Sequence, residues 1–476
     1  MGRDWRDERI EQLVAENAAL KAMVEKLLAR VAELEERLRK SSQNSSKPPS
    51  SDGPQAPPRR KKPPSGRHPG GQPGHERHER PLVPPEKVNK RVVLKPRRCC
   101  GCGEHLAGDD ASPHRHQVFE LPRVEPIVTE YELHALTCTC GTTTAAELPD
   151  GVPTGSFGPT VTAVVALLMG VYRLSKRAVP DLMKDLFGLS MSVGAVVGCQ
   201  HKASEALEAP VDEAKLAVVK APVKNADETG WREARRRAWL WVVVTSKLSV
   251  FMVHARRNAD AARALLGDEH GVLGTDRHGA YGWWSCEQRQ FCWSHLIRDF
   301  TAIAERGYAS ERIGKALLDE ADRMFTWWHR VRDGTLLRST FRVYMRGLRR
   351  RVEGLLAEGA ACLHHKTEET CKKILRSVDS LWTFIHVEGV EPTNNSAERA
   401  IRHAVLWRKA CYGTHSQLGS RFVERILTVH ASLRQQKRNV LEFIRAACVA
   451  KLRGSTPPSL VTSSEQLIVV RPRLVA

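Results

Sequence analysis

No stretch of this 476-residue chain is long and apolar enough to cross a bilayer: the longest apolar run, Val161–Tyr172, has 12 residues, where about 20 are needed. The amino terminus, Met1-Gly2-Arg3-Asp4-Trp5-Arg6-Asp7-Glu8, lacks the apolar stretch of a secretory signal. Cysteine is sparse. Twelve are too few for a disulfide scaffold, and several stand in close pairs, the pattern of thiolates in a reducing compartment. A cytoplasmic protein with no membrane partner is the expectation. Aromatic residues are missing over a long interval: no Phe, Tyr or Trp lies between Arg6 and Val118, while ten of the 11 Trp lie between Trp231 and Trp407. The main core therefore belongs to the second half of the chain.

Positive charge is what the chain has in excess, 74 Lys and Arg against 54 Asp and Glu. The net +20 points to a polyanionic partner, nucleic acid being the commonest and an acidic membrane surface the rival. Half of that charge falls in residues 59–98, with 13 basic and three acidic side chains, and Arg399–Arg445 adds ten basic and two acidic ones. Arg59, Arg60, Lys61 and Lys62 belong to a Pro-, Ser- and Gly-rich segment (41–95) that buries too little to fold alone. It reads as a disordered tether contacting DNA phosphates, or as a solvated linker.

Ahead of the tether, Leu13, Leu20, Leu27 and Leu34 recur every seven residues, and Ile10, Asn17, Val24, Val31 and Leu38 form a second row. Mostly β-branched residues at a with Leu at d favour a parallel two-stranded coiled coil, and an Asn at a fixes register. Residues 8–40 are read as a homodimerising coiled coil; the alternative is an amphipathic helix packed on its own domain.

After the tether, Cys99-Cys100-Gly101-Cys102-Gly103 and Cys138-Thr139-Cys140-Gly141 suggest a small zinc module (96–150), with Cys99, Cys102, Cys138 and Cys140 as ligands. The second pair is one residue too tight, so His105, His114 and His116 remain substitutes, and a metal-free β-rich module remains the alternative. Gln117–Leu121 and Ile127–Leu136 read as short strands. Residues 155–220 read as a helical module, in which Val179–Phe187, Gly188 and a helix opened by Ser192 make a helix-turn-helix-like pattern. Its second helix begins Val193-Gly194-Ala195-Val196-Val197, which offers few groups to base edges.

Next come three β-rich runs (Ala217–Ala226, Ala238–Val244, Ser249–Val253), a helix (Ala259–Leu266), a fourth strand (Gly271–Thr275) and a fifth (Arg289–Trp293). That is the element order of an α/β ribonuclease-H-like core (221–310, completed by 386–450), interrupted by an Arg-rich helical insertion (311–385) and followed by a tail (451–476). The fold class expected is thus multidomain. In such a sheet Asp227 sits at the end of the first strand and Asp276 at the end of the fourth, with Glu398 on a later helix. Three carboxylates so placed suit two Mg²⁺ (or Mn²⁺) ions about 4 Å apart. Each acid also has a bland reading: Asp227 and Asp276 as turn residues, and Glu398 as the third helical residue of a capping box opened by Asn395.

Taken together these residues resemble bacterial transposases of the insertion-sequence 66 family, over nearly the whole chain. The resemblance is carried by Asn44–Asp52, Gly70–His75, Ala226-Asp227-Glu228-Thr229, Thr275-Asp276 with Tyr281, and Cys292-Trp293-Ser294-His295-Leu296. Its most specific element is Asn394-Asn395-x-x-Glu398-Arg399-x-x-Arg402; many members have Asp where this chain has Thr393. The resemblance implies that Asp227, Asp276 and Glu398 form an Asp-Asp-Glu triad, with Arg399 and Arg402 near DNA and Cys292 and His295 in an accessory role. It implies an insertion-sequence transposase that binds terminal inverted repeats, cleaves DNA and transfers strands, associated with the nucleoid and aided by small accessory proteins of the same element. A nuclease without strand transfer and a non-catalytic DNA-binding regulator are the rivals.

Overall fold

The computed structural model describes residues 5–39 and 80–462; Arg59, Arg60, Lys61 and Lys62, with the rest of 40–79 and the tail past 462, lie outside them. Helix α1 (Trp5–Arg39) is uninterrupted. Leu13, Leu20, Leu27 and Leu34 along its seam are exposed rather than packed on the chain's own core.

Residues 88–147 are exposed almost throughout. Leu94, Val118, Leu121, Ile127 and Val128 are each at least 80% exposed, so this segment has no apolar core. Gln117–Leu121 is not a strand, and of Ile127–Leu136 only the last two residues enter one. That strand, β1 (Ala135–Thr137), pairs antiparallel with β2 (Thr143–Ala145). The alternation misleads because no second layer covers it, and an isolated hairpin is marginal in water.

Four helices follow: α2 (Pro159–Gly170), α3 (Ala178–Phe187), α4 (Val193–Ala206) and α5 (Glu208–Val219). As expected, Gly188 ends α3 in the left-handed region at φ 64°, and Ser192 Oγ accepts from Ala195 N to open α4. Helix α5 runs through Ala217, so the first core strand starts at Val223 instead. Val211, Ala214 and Val218, spaced at helical period, are buried.

The sheet contains β3 (Val223–Glu233), β4 (Arg236–Val244) and β5 (Ser249–His254). Helix α6 (Ala259–Leu266) then leads to β6 (Val272–Thr275), and β7 (Arg289–Phe291) completes it. The order is β5-β4-β3-β6-β7; β3 and β5 flank β4 antiparallel, whereas β3, β6 and β7 run parallel. Beyond it come α7 (Trp293–Ala304), α8 (Tyr308–Arg332), α9 (Arg338–Ala360), α10 (His365–Leu375) and the short α11 (Thr383–His386). The chain then returns to the sheet through α12 (Asn395–Cys411), α13 (Gln417–Gln435) and α14 (Val440–Leu452).

Strand β4 is buried on both faces. Trp241 and Val243 join the core formed with α2 to α6, α13 and α14, while Leu240, Val242 and Val244 face α12 and α13. The helices of 155–220 therefore share one core with the sheet. Gly170 lets α2 approach α13 so closely that a Cβ there would strike Ile426. A separate core holds α7 to α11 around Trp293, Trp328, Phe341, Trp382 and Phe384.

Lys224, in β3, is fully buried, its Nζ donating to Val219 O at 2.7 Å. Burial pulls its pKa from 10.5 down to about 8. Between those values the unfolded chain holds the extra proton, so stability rises with pH across that window. Lys224→Met is expected to stabilise the protein at neutral pH by about 1–2 kcal/mol, allowing for removal of the hydrogen bond to Val219 O. It should also flatten the rise; denaturant unfolding at neutral pH and near pH 9 checks both.

Candidate active site

The parallel strands end together, and the acids collect at those carboxyl ends, where α/β sheets place their sites. Parallel pairing of β3 with β6 runs from Val223 opposite Val272 to Asn225 opposite Gly274, and the same register sets Asp227 level with Asp276. Asp227 is not at the end of its strand. β3 continues to Glu233, paired with β4 and bridged at its end to Thr414, because the apolar run of β4 extends the hairpin past the last residue of β6.

Alternation turns Asp227, Thr229 and Trp231 to one face of β3, the face on which Trp231 packs with Ala397, Ile401 and Ala404 of α12. Glu398 lies in the first turn of α12. Asn394 fixes that turn: Nδ2 donates to Ala226 O at 2.8 Å and its backbone N to Cys292 Sγ at 3.2 Å. Asn394 is also the residue that precedes the helix, and its side chain makes no capping bond. Glu398 is therefore one residue beyond the capping-box position. Its Oε1 is buried with no hydrogen-bond partner among the described residues.

Asp227 Oδ1 accepts from Glu228 N at 2.9 Å, and Asp276 Oδ1 from His278 N at 2.8 Å. Burial, then the charges of Glu228 and Asp276, push the Asp227 carboxyl up to about 8, and Glu398 adds to the rise. Glu228 points the other way and has its own countercharge: Arg257 pairs with it at 2.6 Å, and the Tyr281 hydroxyl donates to it. Arg289 braces the end of β6 by donating to Thr275 Oγ1 at 3.0 Å and Asp276 O at 2.9 Å. Among the described residues no Lys or Arg pairs with the side chains of Asp227, Asp276 or Glu398. The three carboxyls are near enough for the charges of Asp276 and Glu398 to act on Asp227, although their oxygens do not make a set of three within 4.8 Å of one another among the described residues; carboxylates of this kind are the donor type for hard divalent cations.

Cys292 and His295 stand beside Glu398, at the start of α7. Arg399 and Arg402 are exposed on α12 without ion pairs among the described residues. Of the arginines in the insertion, Arg351 pairs with Glu320 and Arg349 with Glu353 and Asp379, whereas Arg346 and Arg350 are exposed. The cysteine knuckles form separately: Gly101 N points to Cys99 Sγ at 3.4 Å, and Gly141 N closes on Cys138 O at 2.9 Å. Their four sulfurs do not supply a set of three within 4.8 Å. Hydrogen bonds, chiefly from Thr142, hold the Cys140 thiol down at about 7. Sequence reading missed two features. One is the set Asn394, Arg289, Glu228 and Arg257, whose roles depend on contacts distant in sequence. The other is the β3–β4 turn, where Arg232, Arg235, Arg236 and Arg237 are exposed; the run Arg232-Glu233-Ala234-Arg235-Arg236-Arg237 was a readable signal.

Residues 154–421 match the family model for the Transposase IS66 family, more than half of the chain and all three acids. The chain belongs to this family. Residues 3–81 of the transposase match a second family, of unknown function. No curated protein matches it. The match stops inside α13, so the remainder of α13 and α14, which complete the core around α2, lie past its edge.

Proposed function

We propose that this transposase cleaves DNA at the ends of its element and joins the freed 3′-hydroxyls to target DNA, using Asp227, Asp276 and Glu398 at a ribonuclease-H-like site. The observation that carries this is the convergence of three carboxylates from β3, the end of β6 and α12, whose side chains pair with no Lys or Arg among the described residues. Together they would hold Mg²⁺ or Mn²⁺, which when bound activates the attacking oxygen and stabilises the leaving oxygen. Asp227 and Asp276 are fixed by backbone donors, and Glu398 is set opposite them by Asn394. Arg399 and Arg402, one and four residues past Glu398 and exposed, suit the phosphates flanking the scissile bond. In the first step water attacks the phosphodiester and the 3′-oxygen leaves with a proton. In the second that hydroxyl attacks a target phosphodiester and a target 3′-oxygen leaves. No covalent bond to the protein forms.

The exposed seam of α1 supports pairing of two chains, as two element ends require. Residues 88–147 lack an apolar core, so zinc held by Cys99, Cys102, Cys138 and Cys140 would supply their folding energy. We assign this segment, the tether and the exposed start of α4 to binding the terminal repeats. Small accessory proteins and nucleoid association belong to the same proposal.

Pre-cut element ends supplied with a target plasmid test this reading. Joined product dependent on all three acids is expected, and cleavage without joining would favour a nuclease. Replacing Arg235, Arg236 and Arg237 by Gln should weaken binding and lower the salt slope of log affinity by up to about 3, near 0.9 for each phosphate no longer neutralised. Neutralising Arg59, Arg60, Lys61 and Lys62 should do likewise while leaving cleavage at saturating DNA intact; filter binding over a salt series reads both.

A further inference from the structure

Three polar atoms on α7 and at the start of α12 are shielded from water and have no hydrogen-bond partner among the described residues. His295 Nδ1 and Glu398 Oε1 stand 3.7 Å apart, too far for a hydrogen bond, and each is buried. Asn394 Oδ1, on a residue 1% exposed, is the third. Cys292, also 1% exposed, points Sγ into the same place and accepts from Asn394 N at 3.2 Å. One ligand atom each from Cys292, His295 and Glu398 lies within 4.8 Å of the other two. An unmade buried hydrogen bond costs about 1–3 kcal/mol, so leaving His295 Nδ1 and Glu398 Oε1 side by side next to Cys292 Sγ is explained best by a ligand that binds all three.

We propose that Cys292, His295 and Glu398 form a Zn²⁺ site that shares Glu398 with the carboxylate site, so that zinc withdraws Glu398 from Asp227 and Asp276. The donor set selects the metal: thiolate, imidazole and one carboxylate suit Zn²⁺, whereas Mg²⁺ takes oxygen ligands in octahedral geometry. Cysteine and histidine three apart at a helix start present two ligands from one rigid turn, and α12 supplies the third. Two contacts already hold the sulfur's surroundings, Cys292 N to Thr275 O at 2.9 Å and Asn394 N to Sγ, the outer-shell bonding that orients ligands. Three protein ligands leave a fourth tetrahedral position for water. Binding releases the Cys292 thiol proton to solvent.

The inference rests on the proposed function only for what Glu398 does in catalysis; the metal site stands without it. The test uses the full chain carrying Cys99→Ser, Cys102→Ser, Cys138→Ser and Cys140→Ser, which removes the knuckles. It is freed of metal by chelation and titrated with Co²⁺ as a spectroscopic probe for Zn²⁺. One Co²⁺ per chain with thiolate-to-cobalt charge-transfer absorption is expected. Cys292→Ser should abolish that absorption, and His295→Asn should weaken binding at least tenfold. Circular dichroism of the metal-free variants checks folding; Ser keeps an acceptor for Asn394 N, and His295→Asn carries the test alone if Cys292→Ser does not fold. A parent that binds no cobalt, or a spectrum indifferent to both substitutions, overturns the site. Micromolar zinc should inhibit cleavage in excess Mg²⁺ several-fold in the knuckle-free chain, and the residual activity of Cys292→Ser should be insensitive to it. Cobalt binding without zinc inhibition overturns the sharing of Glu398. If no cleavage is seen under any condition the functional reading fails, while the cobalt titration still decides the site.

Discussion

Asp227→Asn is expected to abolish DNA cleavage, by about 10³-fold or more, while making the metal-free protein more stable. The two effects have one cause. Asp227 is buried among Glu228, Asp276 and Glu398, and without a cation the fold holds its carboxyl protonated up to about 8. The unfolded chain loses that proton near the ordinary carboxylate value, 3.8. The native state therefore binds more protons across the intervening range, and stability falls as pH rises through it. At neutral pH this crowding costs on the order of a few kcal/mol. Asparagine keeps the shape and removes the charge, so it relieves the crowding, and stability should lose the part of its pH dependence between those values that Asp227 contributes. It also removes a metal ligand. Charge stabilisation by a bound cation is worth several kcal/mol, each 1.36 kcal/mol being tenfold in rate. Thermal unfolding with and without Mg²⁺ separates the effects: the parent should gain stability from the ion, as any ligand of the native state confers, and Asp227→Asn should start higher and gain little. A variant both inactive and destabilised in the absence of metal would mean that Asp227 serves the fold and not the chemistry.

The acids were legible because each sits beside a strong local signal. A strand-like apolar run precedes Asp276, and the run before Asp227, though it opens in helix α5, does end in a strand; Gly, Asn and Ser mark the neighbouring turns. The order of elements along the chain was legible too, since β-rich runs joined first by short turns and then by a helix admit few topologies. What the sequence concealed depends on long-range contact. The sequence offers Asn395 as the helix cap, yet Asn394 is the residue that precedes the helix, and its side chain is spent on Ala226, 168 residues away. The helices before the sheet read as a separate module, since nothing local reveals that α2 inserts beside α13 and α14. The segment 88–147 has strand-like alternation but no opposing layer, and alternation alone does not make a sheet.

Asn394→Ala should lower the cleavage rate by about 10², the loss expected when a reacting group shifts by ~1 Å. DNA affinity should be little changed. The side chain bonds Ala226 O next to Asp227, and the backbone of the same residue bonds Cys292 Sγ and accepts from Glu398 N at 3.2 Å. One residue thus sets the distance between the strand acid and the helix acid. Truncation leaves a buried carbonyl unpaired, at about 1–3 kcal/mol, and frees the first turn of α12 to move. Asn394→Asp discriminates positioning from packing. Aspartate has nearly the same size and shape, so a packing role predicts a mild effect. A positioning role predicts damage at least equal to that of alanine, because a carboxylate oxygen would face Ala226 O and a further negative charge would join Asp227, Asp276 and Glu398. Single-turnover cleavage at saturating DNA, set beside equilibrium DNA binding, reads the rate without the affinity. An aspartate variant that cleaves at the parent rate would show that Glu398 is placed by the packing of α12 alone.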